Sequence, residues 1–285
     1  MRAWVNGSEL SSVDEPAVRV SDHGFTVGDG VFEAVKAVGG RPFALERHLQ
    51  RLTSSASGLG LPAPDLHEVR AGVRAVLADV DPETEPLSRV RITWTGGPAP
   101  MGSGRAGGEE VAPTLVVVGG PLPPAAVSTR VATVPWPRNE RGALAGLKTT
   151  SYAENVVALA EAARRGAGEA VFANLAGHLC EGTGSNVFYV VDGELRTPTL
   201  ASGCLAGVTR ALVLEWCGAR EVDEPVSVVR DASEVFLAST TRDVQPVGAW
   251  DDAGAVVELP VPGPVTRAAQ EVWASREASM LEDLR

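Results

Sequence analysis

Residues 28–52 read GDGVFEAVKAVGGRPFALERHLQRL, and this stretch predicts a strand, a turn and a helix in succession. The run VFEAVKAV has the apolar and β-branched residues typical of a strand, and Gly39-Gly40 favours a tight turn into a short partner, RPFAL. Apolar residues then recur at helical spacing, at Leu45, Leu49, Leu52, Ala56 and Leu59. Arg51 lies beside that stripe, so the pattern predicts a helix with a charged side chain at the edge of its buried face.

The regions around this stretch predict an α+β chain of two domains. Strands are predicted at AWVNG, SRVRITWT and PTLVVV, and a second helix is predicted over 65–77 with Asp65 as its N-cap. The Gly- and Pro-rich residues 96–110, GGPAPMGSGRAGGEE, predict a mobile loop. A second such stretch, GGPLPPAAV, predicts a linker at 120–128 between a small N-terminal α+β domain (1–119) and a larger domain (129–285).

The larger domain is also predicted to mix strands and helices. Its predicted elements are the strand VSTRVATVP, a helix over 151–165, the strand EAVFAN, a hairpin of VFYVV and ELRTP around Asp192-Gly193, a helix over 207–217, the strand SEVFLAST and an amphipathic helix over about 265–281. The sequence has no internal repeat and no heptad run. A mixed α+β fold is therefore expected in both regions.

The composition limits the classes of function. The 285 residues are 44% hydrophobic and 21% charged, as expected for a soluble globular protein with two domains. The net charge of −11 would repel a nucleic-acid backbone, and the apolar runs are too short to span a membrane. No signal peptide is evident, and the three cysteines have neither disulfide nor metal spacing. We therefore expect a cytoplasmic protein without a metal site that acts on a small molecule.

The lysine content singles out one residue. Of the 25 basic residues 23 are arginines, and the two lysines are Lys36 and Lys148. An arginine stays protonated, whereas a lysine amine can lose its proton and attack a carbonyl. We interpret Lys36 as a chance survivor of the arginine bias. Lys148 precedes a predicted helix and has apolar neighbours in the sequence, so we interpret it as a reactive group. Those neighbours are Leu147, Val156 and Val157.

Three further features match the needs of a cofactor that carries an aldehyde and a phosphate. Glu181 lies in the Gly-rich stretch CEGTGSNVF, a predicted turn in which a carboxylate can pair with a pyridinium nitrogen. The predicted helix start at 207–209 offers free N–H groups to a phosphate, and STTRDV at 239–244 repeats that arrangement after a strand. Each feature alone has an ordinary structural interpretation, such as a solvated turn or a capped helix. Together with Lys148 they are the groups that pyridoxal phosphate (PLP) requires of a protein.

The order of these motifs resembles that of one family, the PLP fold-type IV enzymes. The motifs that carry the resemblance are VGDGVFEAVKAVGGRPFALERHLQRL, LKTTSYAEN, CEGTGSNVF, CLAGVTRALV and STTRDVQPV, within about residues 20–247. The group contains D-amino acid transaminases, branched-chain aminotransferases and aminodeoxychorismate lyases. The resemblance implies a small α/β domain, a larger pseudo-barrel domain and a homodimer.

The resemblance also implies roles for individual residues. Lys148 matches the Schiff-base lysine, Glu181 the acid paired with the pyridine nitrogen, and Arg51 the phosphate-binding arginine. The other matches to cofactor contacts are Tyr152 near the phenolic oxygen, Leu205 against the ring, Val208 and Thr209 at the helix N-terminus, and Thr240 and Thr241 in a second phosphate loop. Asn186 is expected to fix the turn that follows the glutamate.

The substrate half of the site departs from the family pattern. D-amino acid transaminases hold the substrate carboxylate with a tyrosine on the first strand and with an arginine and a histidine after a later one. The matching positions here are Phe32, Thr95 and Gly97, which lack those groups, and Phe32 and Thr95 are kept as candidate substrate contacts. A carboxylate left unpaired in a dry pocket is unfavourable, so we expect another donor. The candidates, each equally interpretable as a surface charge, are Arg138, Arg141 and Arg105.

The resemblance favours a transaminase of D-amino acid type. A ping-pong mechanism would move an amino group from the donor to the cofactor and then to a 2-keto acid, while the Lys148 amine shuttles the proton. Relaxed carboxylate recognition would extend the donors to (R)-amines. The enzymatic alternatives are an aminodeoxychorismate lyase and a branched-chain aminotransferase. A non-enzymatic acidic binding protein would explain the fold pattern but not the ordered motifs.

Overall fold

The computed structural model describes residues 1–105 and 112–284 and divides the chain into two compact units. The first unit comprises Met1–Pro124, Leu147–Tyr152 and Ser279–Arg285, and the second comprises Ala125–Gly146 and Ala153–Ala278. Both units mix helices with sheet, so the predicted α+β fold of two domains is confirmed. Among the described residues, no helix is both long and apolar enough to cross a membrane.

The first unit is built on a six-stranded antiparallel sheet. Its strands are β1 (Arg2–Val5), β2 (Ser8–Glu9), β3 (Gly30–Val38), β4 (Arg41–Pro42), β5 (Leu87–Thr95) and β6 (Thr114–Pro121), and its helices are α1 (His23–Thr26), α2 (Leu45–Leu59) and α3 (Leu66–Leu77). The strand order is β2-β1-β6-β5-β3-β4. The apolar stripe of α2 and that of α3 pack with β3, β5 and β6 into one core, because both stripes recur at helical spacing. Asp65 caps α3 as predicted, since its carboxylate accepts from two N–H groups of the first turn.

Two later segments of the chain also belong to the first unit. Thr149 pairs with Val31 of β3 in an isolated bridge, and Lys148 O accepts a hydrogen bond from Phe32 N at 2.9 Å. Near the other end of the chain, Ala44 N donates to Met280 O at 2.8 Å. The predicted larger domain (129–285) therefore differs from the second unit, which lacks 147–152 and 279–285. Backbone hydrogen bonds hold these two segments in the first unit. Such long-range pairing cannot be predicted from hydrophobic periodicity or from Gly and Pro content.

The second unit contains a nine-stranded mixed sheet with three helices. Its strands are β7 (Thr129–Thr133), β8 (Glu169–Ala173), β9 (Leu179–Gly182), β10 (Asn186–Val191), β11 (Glu194–Thr197), β12 (Arg220–Glu221), β13 (Glu234–Ser239), β14 (Asp243–Asp252) and β15 (Ala255–Glu258), and its helices are α4 (Ala153–Arg164), α5 (Val208–Cys217) and α6 (Pro264–Arg276). The order is β12-β11-β10-β13-β14-β7-β8-β9, and β15 pairs with β14. Three short 3-10 segments, Leu200–Ser202, Val226–Arg230 and Glu277–Met280, complete the described structure.

Several local predictions need correction. Glu181 lies on strand β9 opposite Phe172 rather than in a turn. No helix follows Thr240-Thr241, which lie in the turn between β13 and β14. Val156 and Val157 do not shield a reactive lysine, because both are exposed on α4. The predicted loop over 96–110 is described only to residue 105, and the rest of it lies outside the described residues.

Candidate functional site

In the first unit, three predicted site residues meet at one aromatic ring. The Lys148 amine nitrogen lies 4.4 Å from the centre of the Phe32 ring, and Tyr152 meets the same ring edge-on with centroids 5.4 Å apart. The backbone holds this arrangement, because Lys148 N donates to Ser55 Oγ at 3.2 Å and Lys148 O accepts from Phe32 N at 2.9 Å. The lysine therefore sits on a fixed segment beside the first residues of β3.

Arg91 also lies against the Phe32 ring, although it is not among the site residues predicted from the sequence. Its guanidinium carbon is 3.9 Å from the ring centre, and its Nε donates to Thr93 Oγ1 at 3.3 Å. Within residues 1–105 and 112–284, no carboxylate forms an ion pair with Arg91. The alternation in SRVRITWT contains the signal that would have found it, because Arg89, Arg91 and Thr93 share one face of β5. The residues between them, Val90, Ile92 and Trp94, are buried in the core.

Arg51 is held by a buried carboxylate. Its Nε donates to Glu33 Oε1 at 2.8 Å and its Nη2 donates to Glu33 Oε2 at 2.7 Å, in a two-pronged pair. His48 Nδ1 lies 2.7 Å from the same Oε2. Burial would raise the pKa of Glu33, but the charge and hydrogen bonds of Arg51, with those of His48, outweigh it and lower the pKa to about 2. Burial lowers the pKa of His48, so a carboxylate and an arginine form the charged pair. Glu33 fixes the direction of the Arg51 fork.

The other substrate candidates in the first unit have structural partners. Thr95 Oγ1 donates to the buried Asp22 at 3.1 Å and accepts from Gly97 N at 3.1 Å, so its hydroxyl holds a loop together. Arg105 donates to Asp29 through Nε at 2.7 Å and to the Gly60 carbonyl through Nη1 at 2.8 Å. Its guanidinium therefore closes the C-terminal end of α2. The substrate contact at Thr95 stays a prediction.

In the second unit, Glu181 has two neighbours that fix its carboxylate. Its Oε2 accepts from Leu205 N at 2.8 Å, and its Oε1 lies 3.4 Å from Arg138 Nε. The Arg138 guanidinium lies 4.1 Å from the centre of the Phe172 ring and donates through Nη1 to Asn155 Oδ1 at 3.0 Å. Arg138 Nε is buried and makes no hydrogen bond to the described residues. The predicted substrate arginine is thus a neighbour of the predicted ring-nitrogen acid.

The N-terminus of α5 is a predicted phosphate contact. No side chain caps it, its N-cap is Gly207, and Val208 and Thr209 are both buried. Asn186 Nδ2 donates to Leu205 O at 2.9 Å and so connects the start of β10 to the segment before α5, while its role in the turn after Glu181 stays a prediction. A Cβ at Gly207 would collide with Asn186 Oδ1, so a side chain at 207 would displace the segment. Arg141 is a surface residue with an 83% exposed side chain.

The comparisons with known proteins agree on the family. Residues 30–250 match the sequence model described as amino-transferase class IV. A Methanocaldococcus jannaschii protein named, provisionally, as a branched-chain-amino-acid aminotransferase is 31% identical over 95% of this chain and 94% of its own length. A Mycobacterium tuberculosis bifunctional aminodeoxychorismate lyase / D-amino acid transaminase is 31% identical over 81% of this chain and 85% of its own.

A solved structure shows the same fold. The fold IV-transaminase CpuTA1 from Curtobacterium pusillum superimposes with a TM-score of 0.78 at 33% identity, over 92% of this chain and 91% of its own. The predicted fold-type IV architecture is therefore confirmed. The ordered motifs, the matched length and the fold lead to one conclusion: the chain belongs to the class IV aminotransferases, a family of PLP-dependent enzymes.

Proposed function

We propose that the protein is a transaminase of D-amino acid type that also accepts (R)-amines, with Lys148 as its reactive lysine. The observation that carries the proposal is the cluster at Phe32, where the Lys148 amine and the Arg91 guanidinium, which has no ion pair to a carboxylate of the described residues, contact one ring. An amine that can attack a carbonyl and a cation that can hold a carboxylate thus contact the same ring. A 2-amino acid carries its amine and its carboxylate on adjacent carbons. Its keto acid product carries a carbonyl and a carboxylate in the same places.

The chain offers PLP the donors that it requires. In the first unit, Lys148 would hold the aldehyde and Arg51, oriented by Glu33, would bind phosphate oxygens. In the second unit, Glu181 would hold the protonated ring nitrogen and Leu205 would pack against the ring. The uncapped α5 N-terminus at Val208 and Thr209 would bind phosphate, and so would Thr240 and Thr241.

When bound, PLP supplies an electron sink for the bond that breaks at the donor Cα. The protein supplies the acid–base groups. The Lys148 amine, which contacts the Phe32 ring, would take the proton from the donor Cα and pass it to the carbon that carries the aldehyde in free PLP. Glu181 would hold the protonated ring nitrogen, and Arg138 Nε lies 3.4 Å from its carboxylate. Tyr152 contacts the same ring as Lys148.

We assign the substrate carboxylate to Arg91 rather than to the arginines predicted from the sequence. Arg105 is engaged by Asp29, Arg141 is exposed, and Arg138 is engaged by Glu154 and Asn155. Arg91 has no carboxylate partner in the part of the chain that the structure describes. Phe32 stacks on it and would also line the pocket for the donor side chain. An apolar ring at this position also suits a donor without a carboxylate.

Two alternatives follow from the relatives. The M. tuberculosis relative is named for both lyase and D-amino acid transaminase activity, which keeps an aminodeoxychorismate lyase in view. That enzyme would release pyruvate and p-aminobenzoate without any amino acceptor. The name of the M. jannaschii relative keeps a branched-chain aminotransferase in view, and such an enzyme would turn over L-leucine and not D-alanine.

The two lysines provide a matched test of the cofactor site. Lys148→Arg and Lys36→Arg both keep a positive charge, but arginine cannot form an imine with the aldehyde. After borohydride reduction with PLP, we expect wild type and Lys36→Arg to retain the cofactor on a peptide containing residue 148, and Lys148→Arg to retain none. A cofactor adduct in Lys148→Arg, or transamination by it, would overturn the assignment.

A donor panel tests the substrate class. D-alanine, L-leucine and (R)-1-phenylethylamine are each mixed with the loaded enzyme, and the loss of the visible band of the lysine-bound cofactor is followed. We expect D-alanine and the (R)-amine to bleach it. Bleaching by L-leucine alone would establish the branched-chain alternative, and pyruvate release from aminodeoxychorismate without an acceptor would establish the lyase.

We also propose that the protein is a homodimer that uses an exposed apolar face of α4. Val156 and Leu159, three residues apart and therefore on the same side of this helix, have 64% and 41% of their surfaces exposed. Neighbouring apolar side chains exposed on one helix are typical of an association surface. The mass in solution, measured by light scattering, should be twice that of the 29.6 kDa chain. A monomer at micromolar concentration would contradict the proposal.

A further inference from the structure

We propose that Glu169 is a positioning residue that holds together two segments of the second unit, the turn that follows Glu181 and the turn that contains Thr240 and Thr241. The proposal rests on the cofactor roles proposed above for those residues. Glu169 is the first residue of β8, and only 1% of its surface is exposed. A carboxylate this deeply buried requires partners, and its partners come from both turns.

The first turn folds around the Glu169 carboxylate. Oε1 accepts from Thr183 N at 3.1 Å and from the Thr183 hydroxyl, and Oε2 accepts from Ser185 Oγ at 3.1 Å. A Cβ at Gly182 would lie 3.2 Å from the carboxyl carbon of Glu169 and would collide with Ser185 Oγ. Gly182 directly follows Glu181 and is the last residue of β9, so the Glu169 carboxylate packs against the end of that strand. It thereby fixes the backbone that carries the proposed partner of the ring nitrogen.

The second turn reaches the same carboxylate through Arg242. Its Nη2 lies 3.4 Å from Glu169 Oε2 and 3.3 Å from Gly168 O, while Nη1 donates to Gln245 Oε1 at 2.6 Å. Arg242 directly follows Thr241. The next residue, Asp243, has a φ of 52°, so the chain reverses sharply here. The charge of Glu169 therefore anchors the turn that carries the proposed phosphate contacts.

Replacing one carboxylate oxygen by an amide would disturb both turns at once. In Glu169→Gln the side chain keeps its size, but an NH2 group faces a hydroxyl donor or the Arg242 guanidinium. Arg242 also loses its counter-charge. We expect both turns to loosen and PLP to bind about tenfold more weakly, which corresponds to about 1.4 kcal/mol.

Hydrogen exchange on the cofactor-free protein separates the two connections. We expect Thr183→Val to raise exchange over 182–186 only, Arg242→Met to raise it over 240–244 only, and Glu169→Gln to raise it over both. Glu234→Gln is the matched control, because Glu234 is a buried carboxylate that caps α6 through Val265 N and Thr266 N. Its effect should be confined to the start of that helix.

Two results would overturn the proposal. One is unchanged exchange over both turns in Glu169→Gln, and the other is loosening of both turns by the Glu234→Gln control. Titration with PLP gives the functional reading: the expected tenfold loss supports the proposal, and unchanged affinity in a loosened Glu169→Gln refutes it. Because exchange is measured without cofactor, these outcomes are distinguishable from failure of the Lys148 assignment, which the borohydride experiment reports.

Discussion

Substitution of Arg91 should separate amino acids from simple amines. In the proposed site the Arg91 guanidinium, 3.9 Å from the centre of the Phe32 ring, holds the donor carboxylate. A hydrogen bond to a charged group contributes about 1.5–3 kcal/mol, and each 1.4 kcal/mol is a factor of ten. Arg91→Met keeps the length of the side chain and removes the charge. It should therefore lower kcat/KM for D-alanine about ten- to hundredfold.

The assay is the first half-reaction, which needs no keto acid. Loaded enzyme is mixed with D-alanine or with (R)-1-phenylethylamine, and the rate of loss of the cofactor band is measured against donor concentration. The amine has no carboxylate, so its rate in Arg91→Met should stay within about threefold of wild type, a difference of about 0.6 kcal/mol. The ratio of the rate with D-alanine to the rate with the amine is the quantity that tests Arg91, because a damaged cofactor site would lower both rates.

The matched control is Arg89→Met. Arg89 lies two residues away on the same face of β5, and its substitution should leave both rates unchanged. Equal losses for D-alanine and the amine in Arg91→Met would refute a role in carboxylate binding. Unchanged turnover of D-alanine would refute it as well.

Three further outcomes are expected. Glu33→Gln should destabilise the cofactor-free protein at pH 7 by about 3 kcal/mol, because the Glu33 pKa is lowered from 4.5 to about 2. That contribution is present above the ordinary pKa of 4.5 and is lost as the pH falls towards 2. In urea unfolding, the difference in free energy of unfolding between wild type and Glu33→Gln should therefore be smaller at pH 3 than at pH 7. Equal differences at the two pH values would contradict this expectation. Gly72→Ala should lower the Tm, because a Cβ would lie 2.8 Å from Trp4 Cε3 and overpacking costs about 1–3 kcal/mol; an unchanged or higher Tm contradicts this. Val156→Asp should shift light scattering from dimer to monomer, and a persistent dimer would show that the interface lies elsewhere.

The secondary structure followed from local pattern wherever one face of an element is buried. The helix predicted from Leu45 to Leu59 has those bounds, because its leucines recur at the period of the buried face. Strand β14 was missed, since Pro246 and Gly248 interrupt its sequence and the register shifts between Val247 and Ala249. Its pairing with β7 and β13 forms the strand, and such pairing depends on residues far away in the chain.

The site was predictable only in part, for a related physical reason. Lys148 stood out because arginine cannot replace it chemically, and Arg51 stood out through its motif. Glu33 and Glu169 were indistinguishable from other acidic residues, since only burial gives them their partners. Arg91 was not predicted, because an arginine in a strand with alternating polar and apolar residues is usually a solvated charge. Its role depends on Phe32 of a different strand.

The pairing of residues 280–282 with 42–46 has a consequence for synthesis on the ribosome. Phe43 bridges to Leu281, and Glu46 N donates to the Glu282 carboxylate at 2.9 Å. The first unit therefore cannot acquire all its native partners until the whole second unit has been translated. Until then the start of α2 lacks its neighbour, and a nascent chain halted before residue 279 would expose that edge to chaperones or proteases.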